Sequence, residues 1–290
     1  MSLKSHKRAR RNLLFLKLAT DRLREAGVVS ASSEAEAILR HYGRIERLDF
    51  YAGNKTLGRP ARHRARLALQ RRVQGRPLQH VLRTAEFLGI RLRVNRDVLI
   101  PRPETELLAE KAIEILSGQR DLEVLDVGTG SGCIALSLTG ARADCRMTAL
   151  DISPRALKVA RENARRLGQS PRIRFVQSDL FRAFRKNKAW DLIVCNPPYI
   201  PSGEIPGLSR EVRQEPLLAL DGGGDGLAVV SRLLEEAPGR LEAGGWLLME
   251  MGAGQRGRVA SLMSPADWAD VKFMRDYAGI DRILVARKHG

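Results

Sequence analysis

From residue 12 onward, apolar side chains recur at helical spacing. Leu13, Leu14, Leu16, Leu18 and Leu23 predict an amphipathic helix over 12–27 that stops at Gly27. Ser32 or Ser33, with Glu36 placed for a capping box, predicts a second helix running to about Tyr42. A third runs from about Pro60 to Val73, is dense in arginine (Arg62, Arg64, Arg66, Arg71, Arg72), and ends at Gly75. Residues 86–99, EFLGIRLRVNRDVL, switch to a period near two and predict a short hairpin, with Asn95 near a turn or strand end.

Past residue 122 the pattern becomes short apolar runs alternating with helical stretches. LEVLDV (122–127), MTALD (147–151), IRFVQ (173–177), DLIVCN (191–196) and WLLMEM (246–251) read as buried strands. Helices open at Gly132 to Thr139, at Ser153 with Pro154 in its first position, and after the glycine cluster 221–226. Apolar strands joined through helices imply a mostly parallel sheet covered on both faces. VKFMRD (271–276) and DRILVAR (281–287) are separated only by YAGI, too short for a crossover helix, so the last strand is expected antiparallel. The expectation is an α/β fold with a seven-stranded sheet and three parts: a basic helical domain 1–83, a hairpin linker 84–100, and a larger domain 101–290.

Length and composition fit this division. At 290 residues, 43% hydrophobic and 29% charged, the chain can bury two cores. No apolar run approaches the roughly 20 residues of a bilayer span. Three cysteines without a C-x-x-C pair argue against a disulfide scaffold or zinc ribbon and for a reducing compartment. The charge of +17 is uneven: residues 1–94 hold 22 of the 50 Lys+Arg but only 7 of the 33 Asp+Glu. That part seeks an acidic surface (RNA, DNA, an acidic protein or an anionic membrane), or is simply a solvated basic face. The acid-free first twenty residues also suit a mitochondrial transit peptide, but they run without a break into the helical pattern and read as its solvated start.

Four strand ends carry candidate chemistry. Asp126-Val-Gly128-Thr129-Gly130-Ser131-Gly132 follows the first buried strand, and its glycines let a ligand approach main-chain atoms. The spacing is not the G-x-G-x-x-G of a dinucleotide loop, because Cys133 stands last, and Asp126 disfavours a pyrophosphate; a ligand with a cationic end fits better. Asp151, ending the next strand, is placed to accept both hydroxyls of a ribose diol, with Ser153 the better helix cap. Asp179 could hold an exocyclic amine and Leu180 cover an adenine face; a turn acid followed by core residues is the other reading. Asn196-Pro197-Pro198-Tyr199 ends the fourth strand. Two prolines stop the ladder there, so the Asn196 side-chain oxygen and the Pro197 carbonyl stand as neighbouring acceptors suited to a planar NH2 group, with Tyr199 offering a flat face. The five histidines show no metal-ligand spacing, and Cys195 reads as a small core residue.

D-V-G-T-G-S-G together with N-P-P-Y resembles the class I S-adenosylmethionine-dependent methyltransferases, Rossmann-like enzymes, acting on a planar nitrogen. VLIPRPETE (98–106), EF (86–87), EP (215–216) and DGGGDGL (221–227) narrow the resemblance to the HemK/PrmC family of release factor glutamine methyltransferases. The resemblance implies N5-methylation of the glutamine in the Gly-Gly-Gln motif of class 1 peptide release factors. It implies that Gly128, Thr129, Gly130, Ser131 and Gly132 hold the methionine part of the cofactor, and Asp151 its ribose. Asp179 and Leu180 (or Phe181) would flank the adenine. Asn196 would lie between cofactor and substrate, with Pro197, Pro198 and Tyr199 around the glutamine amide, and residues 101–106 would fold over the cofactor. The expected enzyme needs no metal, acts as a monomer, has no stable nucleic-acid or membrane partner, and works in bacterial cytoplasm, or in a mitochondrion if eukaryotic. Alternatives are methylation of adenine N6 in nucleic acid, of a ribosomal-protein glutamine, or a non-enzymatic RNA- or ribosome-binding role on a relict fold.

Overall fold

A computed structural model describes residues 3–118, 120–142 and 144–290. The chain forms two compact units: residues 1–83 with 209–214, and residues 84–208 with 215–290.

The first unit is helical: α1 (Leu3–Glu25), α2 (Ala31–Gly43), α3 (Arg47–Ala52), α4 (Arg59–Val73) and α5 (Leu78–Leu82). Its core gathers Leu23, Ile38, Leu39, Phe50 and Leu69. α1 begins well before residue 12, and Asn12 inside it is an anchor: its side-chain NH2 donates to the carbonyls of Phe50 (2.8 Å) and Lys55 (2.9 Å), and its oxygen accepts from Thr56. The capping box does not form. Ser30 is the N-cap, without a side-chain bond, and Glu36 turns to Arg40, Arg47 and the Tyr51 hydroxyl instead. Arg72, almost wholly buried, pairs with Glu34 and with Glu211 of the 209–214 segment.

The second unit begins with the hairpin β1 (Thr84–Phe87) and β2 (Ile90–Arg93). It belongs to this unit's core rather than standing apart as a linker, because Phe87 and Leu92 are buried with Leu108 and Leu116 of α6 (Pro103–Leu116). The central sheet comprises β3 (Glu123–Val127), β4 (Arg146–Asp151), β5 (Ile173–Gln177), β6 (Trp190–Cys195), β7 (Leu241–Glu250), β8 (Trp268–Arg275) and β9 (Asp281–Lys288). Their order is β5-β4-β3-β6-β7-β9-β8. The first five run parallel, and β9 lies antiparallel between β7 and β8. This is the seven-stranded fold the sequence pattern predicts, with its last strand reversed.

Helices α7 (Cys133–Ala141), α8 (Pro154–Arg166), α9 (Ala228–Glu236) and α10 (Arg256–Ser261) complete the unit. The Ser153 hydroxyl accepts from the Ala156 amide and caps α8. The strand order reverses at β3, between β4 and β6. The crevice at the carboxyl ends of these strands is where an open α/β sheet holds a ligand.

Candidate active site

All four motifs meet in that crevice. A cavity of about 330 Å³ is lined by Gly128–Ser131, Asp151, Asp179, Leu180, Asn196, Pro197 and Pro198, and by Pro101 and Thr105 from the 98–106 string.

Burial beneath the loop explains its shape. Asp126 is fully buried, and one carboxylate oxygen accepts from the Thr129 hydroxyl (2.7 Å) and the Ala135 amide (3.2 Å). Its other oxygen has no partner among the described residues, and burial pushes its pKa up to about 7. Asp126 does not line the cavity; it braces the loop from below. Gly128, Gly130 and Gly132 all have positive φ (73°, 56° and 84°). Their surroundings differ. A Cβ on Gly128 would meet nothing nearer than the Asn196 carbonyl at 3.9 Å, and one on Gly130 nothing nearer than the Gly128 carbonyl at 3.9 Å. On Gly132 it would press Leu136 Cδ1 at 3.1 Å and the Ala160 Cβ at 3.3 Å. The first two glycines therefore leave open a space facing the 196 loop, while Gly132 seats the loop on α7 and α8 and stands off the cavity wall.

Asp151 accepts from the Gly130 amide (2.9 Å) on one oxygen and the Ser153 amide (2.8 Å) on the other. Each oxygen keeps a lone pair for a further donor. Burial raises its pKa, and the two amide bonds oppose that. Asp179 lines the wall, but its carboxylate is engaged by Arg232 of α9 (3.0 Å) and by Arg182 (3.1 Å). Leu180 holds φ +47°, a strained backbone for a branched side chain, and presents that side chain to the cavity. Phe181 is fully buried against Trp190 and does not reach the wall.

The 196–199 loop is held by residues that sequence reading did not single out. The Asn196 NH2 donates to the Thr105 hydroxyl (2.9 Å), which donates to Glu250 at the end of β7 (2.6 Å). The Tyr199 hydroxyl donates to the other Glu250 oxygen (3.1 Å). The Tyr199 hydroxyl thus faces Glu250, and its ring is not among the residues that line this cavity. Glu250 is almost wholly buried. Burial raises its pKa, and the Thr105 and Tyr199 hydroxyls pull the other way. Among the described residues nothing donates to the Asn196 side-chain oxygen or to the Pro197 carbonyl.

The family-specific strings act as braces. Glu215 accepts from the Ile100 amide (2.8 Å) and pairs with Arg102, tying the 98–106 string down. The glycine cluster runs behind Tyr199: a Cβ on Gly226 would lie 2.5 Å from the Tyr199 carbonyl, which accepts from Gln255 (2.9 Å). The thiols of Cys133 and Cys195 are buried and raised, the former to about 12, so neither is a thiolate near neutral pH. Among the described residues no group of three His, Cys, Asp or Glu could hold a metal ion, and no helix is long and apolar enough to cross a membrane.

Two family models match the chain: Methyltransferase small domain over residues 104–257, and PrmC N-terminal domain over residues 15–82. The release factor glutamine methyltransferase of Moorella thermoacetica is 41% identical over 270 residues, covering 92% of this chain and 95% of that protein. That of Nitratidesulfovibrio vulgaris is 41% identical over 279 residues, covering 94% of each. Among solved structures, the Thermus thermophilus 16S rRNA N2 G1207 methyltransferase in complex with AdoMet and guanosine superposes with a TM-score of 0.51 at 19% identity. The match covers 71% of this chain and 50% of that one, and shows the fold alone.

Proposed function

The chain belongs to the family of release factor glutamine methyltransferases, and from that premise we propose which of its residues carry the transfer. The enzyme is an S-adenosylmethionine-dependent protein-(glutamine-N5) methyltransferase whose substrate is a peptide chain release factor. The observation that carries the assignment of roles is the pair of acceptors, the Asn196 side-chain oxygen and the Pro197 carbonyl, beside the side-chain-free cradle of Gly128 and Gly130.

The residues present fit the cofactor. The main chain of Gly128–Ser131 offers a surface without side chains in the way, and the unpartnered Asp126 oxygen beneath it favours a cationic group above. Asp151 has lone pairs left for a diol, and Ile152, Leu180 and Val229 give the same cavity an apolar wall. Asp179 already serves two arginines, so an adenine amine there would share its carboxylate. When bound, S-adenosylmethionine supplies a methyl group activated on a sulfonium.

The protein's task is to make a poor nucleophile attack. A carboxamide nitrogen is planar because its lone pair is delocalised into the carbonyl. The Asn196 oxygen and the Pro197 carbonyl each accept one N–H of the substrate glutamine, holding its nitrogen while the lone pair turns toward the methyl. Both acceptors strengthen as positive charge grows on that nitrogen, so they favour the transition state over the ground state. Rigid placement by two prolines adds the benefit of proximity. No strong base is required, since an N-methylated cationic amide loses its proton readily.

The basic helical unit is proposed to dock the release factor through charge. The enzyme is proposed to act as a monomer, since the described cavity wall is built within one unit of the chain. Aromatics are only 5% of the chain, too few to interleave with the basic side chains as stacking platforms, which supports the absence of a stable nucleic-acid partner. The proposed site of action is where release factors work: the cytoplasm of a bacterium, or the mitochondrion if the chain is eukaryotic. Incubation with tritiated cofactor and either purified release factor or unmodified nucleic acid tests the reading: label is expected in the release factor, and label only in nucleic acid would overturn it.

A further inference from the structure

We propose that Thr105 and Glu250 are positioning residues that decide which end of the Asn196 carboxamide faces the cavity. The inference rests on Asn196 acting as an acceptor, as proposed above, and deepens it.

A carboxamide can turn over, exchanging an oxygen acceptor for an NH2 with two donors, with little change of shape. Only one of these faces helps here: an NH2 turned to the cavity would confront the NH2 of the substrate, donor against donor. Something must therefore choose. Among the described residues Asn196 reaches one side chain, the Thr105 hydroxyl, at 2.9 Å. That hydroxyl has one proton, and it points to Glu250 at 2.6 Å. Both Glu250 oxygens accept, one from Thr105 and one from the Tyr199 hydroxyl, so the carboxylate takes the Thr105 proton and leaves the Thr105 oxygen with lone pairs alone. Those lone pairs bind the NH2 end of Asn196 and repel the oxygen end, and the oxygen is turned outward.

Tyr199 completes the device. Its hydroxyl donates to the second Glu250 oxygen at 3.1 Å, so the carboxylate receives a proton from each side. Glu250 is almost wholly buried and off the cavity wall, so water does not compete with the two hydroxyls for its oxygens. The groups facing Glu250 are these two hydroxyls, with Arg282 favouring the ionised form and burial and Glu104 opposing it. The polar chain also spans elements remote in sequence, joining α6, the end of β6 and the end of β7.

Two substitutions change the choice without removing bulk. Glu250→Gln brings its own NH2, which donates to Thr105 because the Tyr199 hydroxyl holds its oxygen; the Thr105 proton is then released to the Asn196 oxygen, and the flipped face of Asn196 becomes the better bonded one. Thr105→Val deletes the intermediary and leaves neither face favoured. Glu250→Gln is expected to lower kcat by about tenfold, the population shift that one hydrogen bond brings, and Thr105→Val by about twofold. In Glu250→Gln, which lies off the cavity wall, the affinity for S-adenosylhomocysteine should stay within about threefold. Thr105→Ser, which keeps the hydroxyl, should match the parent's kcat.

A purely structural role is separated by a double-mutant cycle. In an Asn196→Ala background, Glu250→Gln should change kcat by less than about twofold, because it acts only through Asn196. Losses that multiply, or a Glu250→Gln enzyme with kcat near that of the parent, would overturn the proposal. A second measurement needs no substrate. In the full-length protein labelled with 15N, the Asn196 side-chain amide, assigned by its loss in Asn196→Ala, should show a nuclear Overhauser contact to the Thr105 methyl group. That contact should weaken in Glu250→Gln as the flipped form is populated. Its absence from the parent protein overturns the relay. If the parent transfers no methyl to release factor while this contact is present, the assigned function fails and the relay stands.

Discussion

The three glycines of the 128–132 loop share a left-handed backbone, and one substitution separates their roles. Gly130→Ala places a methyl group whose nearest atom beyond its chain neighbours is the Gly128 carbonyl at 3.9 Å, so its stability loss is the left-handed strain, about 1 kcal/mol. For a unit of this size that lowers Tm by roughly 2–4 °C. The same methyl projects from a residue of the cavity wall, where it competes with a bound ligand for space. A methylene too many in a fitted site costs about 1–3 kcal/mol, so the affinity for S-adenosylhomocysteine should fall by about 5- to 150-fold. Gly132→Ala reverses the order. Its Cβ would sit 3.1 Å from Leu136 Cδ1 and 3.3 Å from the Ala160 Cβ, so strain and overpacking add to about 2–4 kcal/mol, a fall in Tm of about 10 °C. Affinity measured well below that Tm should stay within about threefold of the parent. Calorimetric titration and thermal unfolding of both variants decide the matter. Parent-like affinity in Gly130→Ala, or affinity lost in both variants in proportion to stability, would refute the assignment of the cradle.

Asp151→Ala removes two charge-assisted acceptors, each worth about 1.5–3 kcal/mol, so calorimetry should show S-adenosylhomocysteine binding weakened by at least about 100-fold. Asp126 gives a pH signature. Its folded pKa of about 7 lies above the ordinary 3.8, so folding takes up a proton between these values. The stability this confers is present at low pH and is lost as pH rises toward 7, by up to about 4 kcal/mol. Asp126→Asn abolishes that loss, so denaturant titrations should show the variant gaining on the parent between about pH 4 and 8; a difference independent of pH would contradict the buried titration. Charge steering by the helical unit predicts that added salt raises KM for the release factor several-fold and leaves KM for the cofactor unchanged, read from initial rates at two ionic strengths.

The sheet was legible because burial on both faces leaves strands such as LEVLDV and DLIVCN almost wholly apolar, and because YAGI is too short for anything but a reversal. The strand-end motifs were legible for the same reason: each interrupts an apolar run with residues that a buried ladder would not choose. The partners of those motifs were not. Thr105 sits in a helix and Glu250 ends a strand, and nothing in their local pattern shows that they meet 145 residues apart. Tyr199 has the residue type expected of a stacking face but is turned to Glu250 by one hydrogen bond. The capping box at Ser32 or Ser33 had the right spacing, yet Glu36 found two arginines and a tyrosine hydroxyl in the folded unit, stronger partners than a helix-end amide. The hairpin read as a linker because its period of two says nothing of what covers it; Phe87 and Leu92 are covered by the catalytic unit's core.

The two-acceptor account is tested most directly by the mass of the Gly-Gly-Gln peptide from a release factor incubated with S-adenosylmethionine and either the parent enzyme or Asn196→Ala. The account predicts one added methyl on the glutamine side-chain nitrogen with the parent. It predicts transfer slower by at least about 100-fold with the variant, whose S-adenosylhomocysteine affinity stays within about threefold. A methyl on any other residue, or a variant that methylates at nearly the parent's rate, would contradict it.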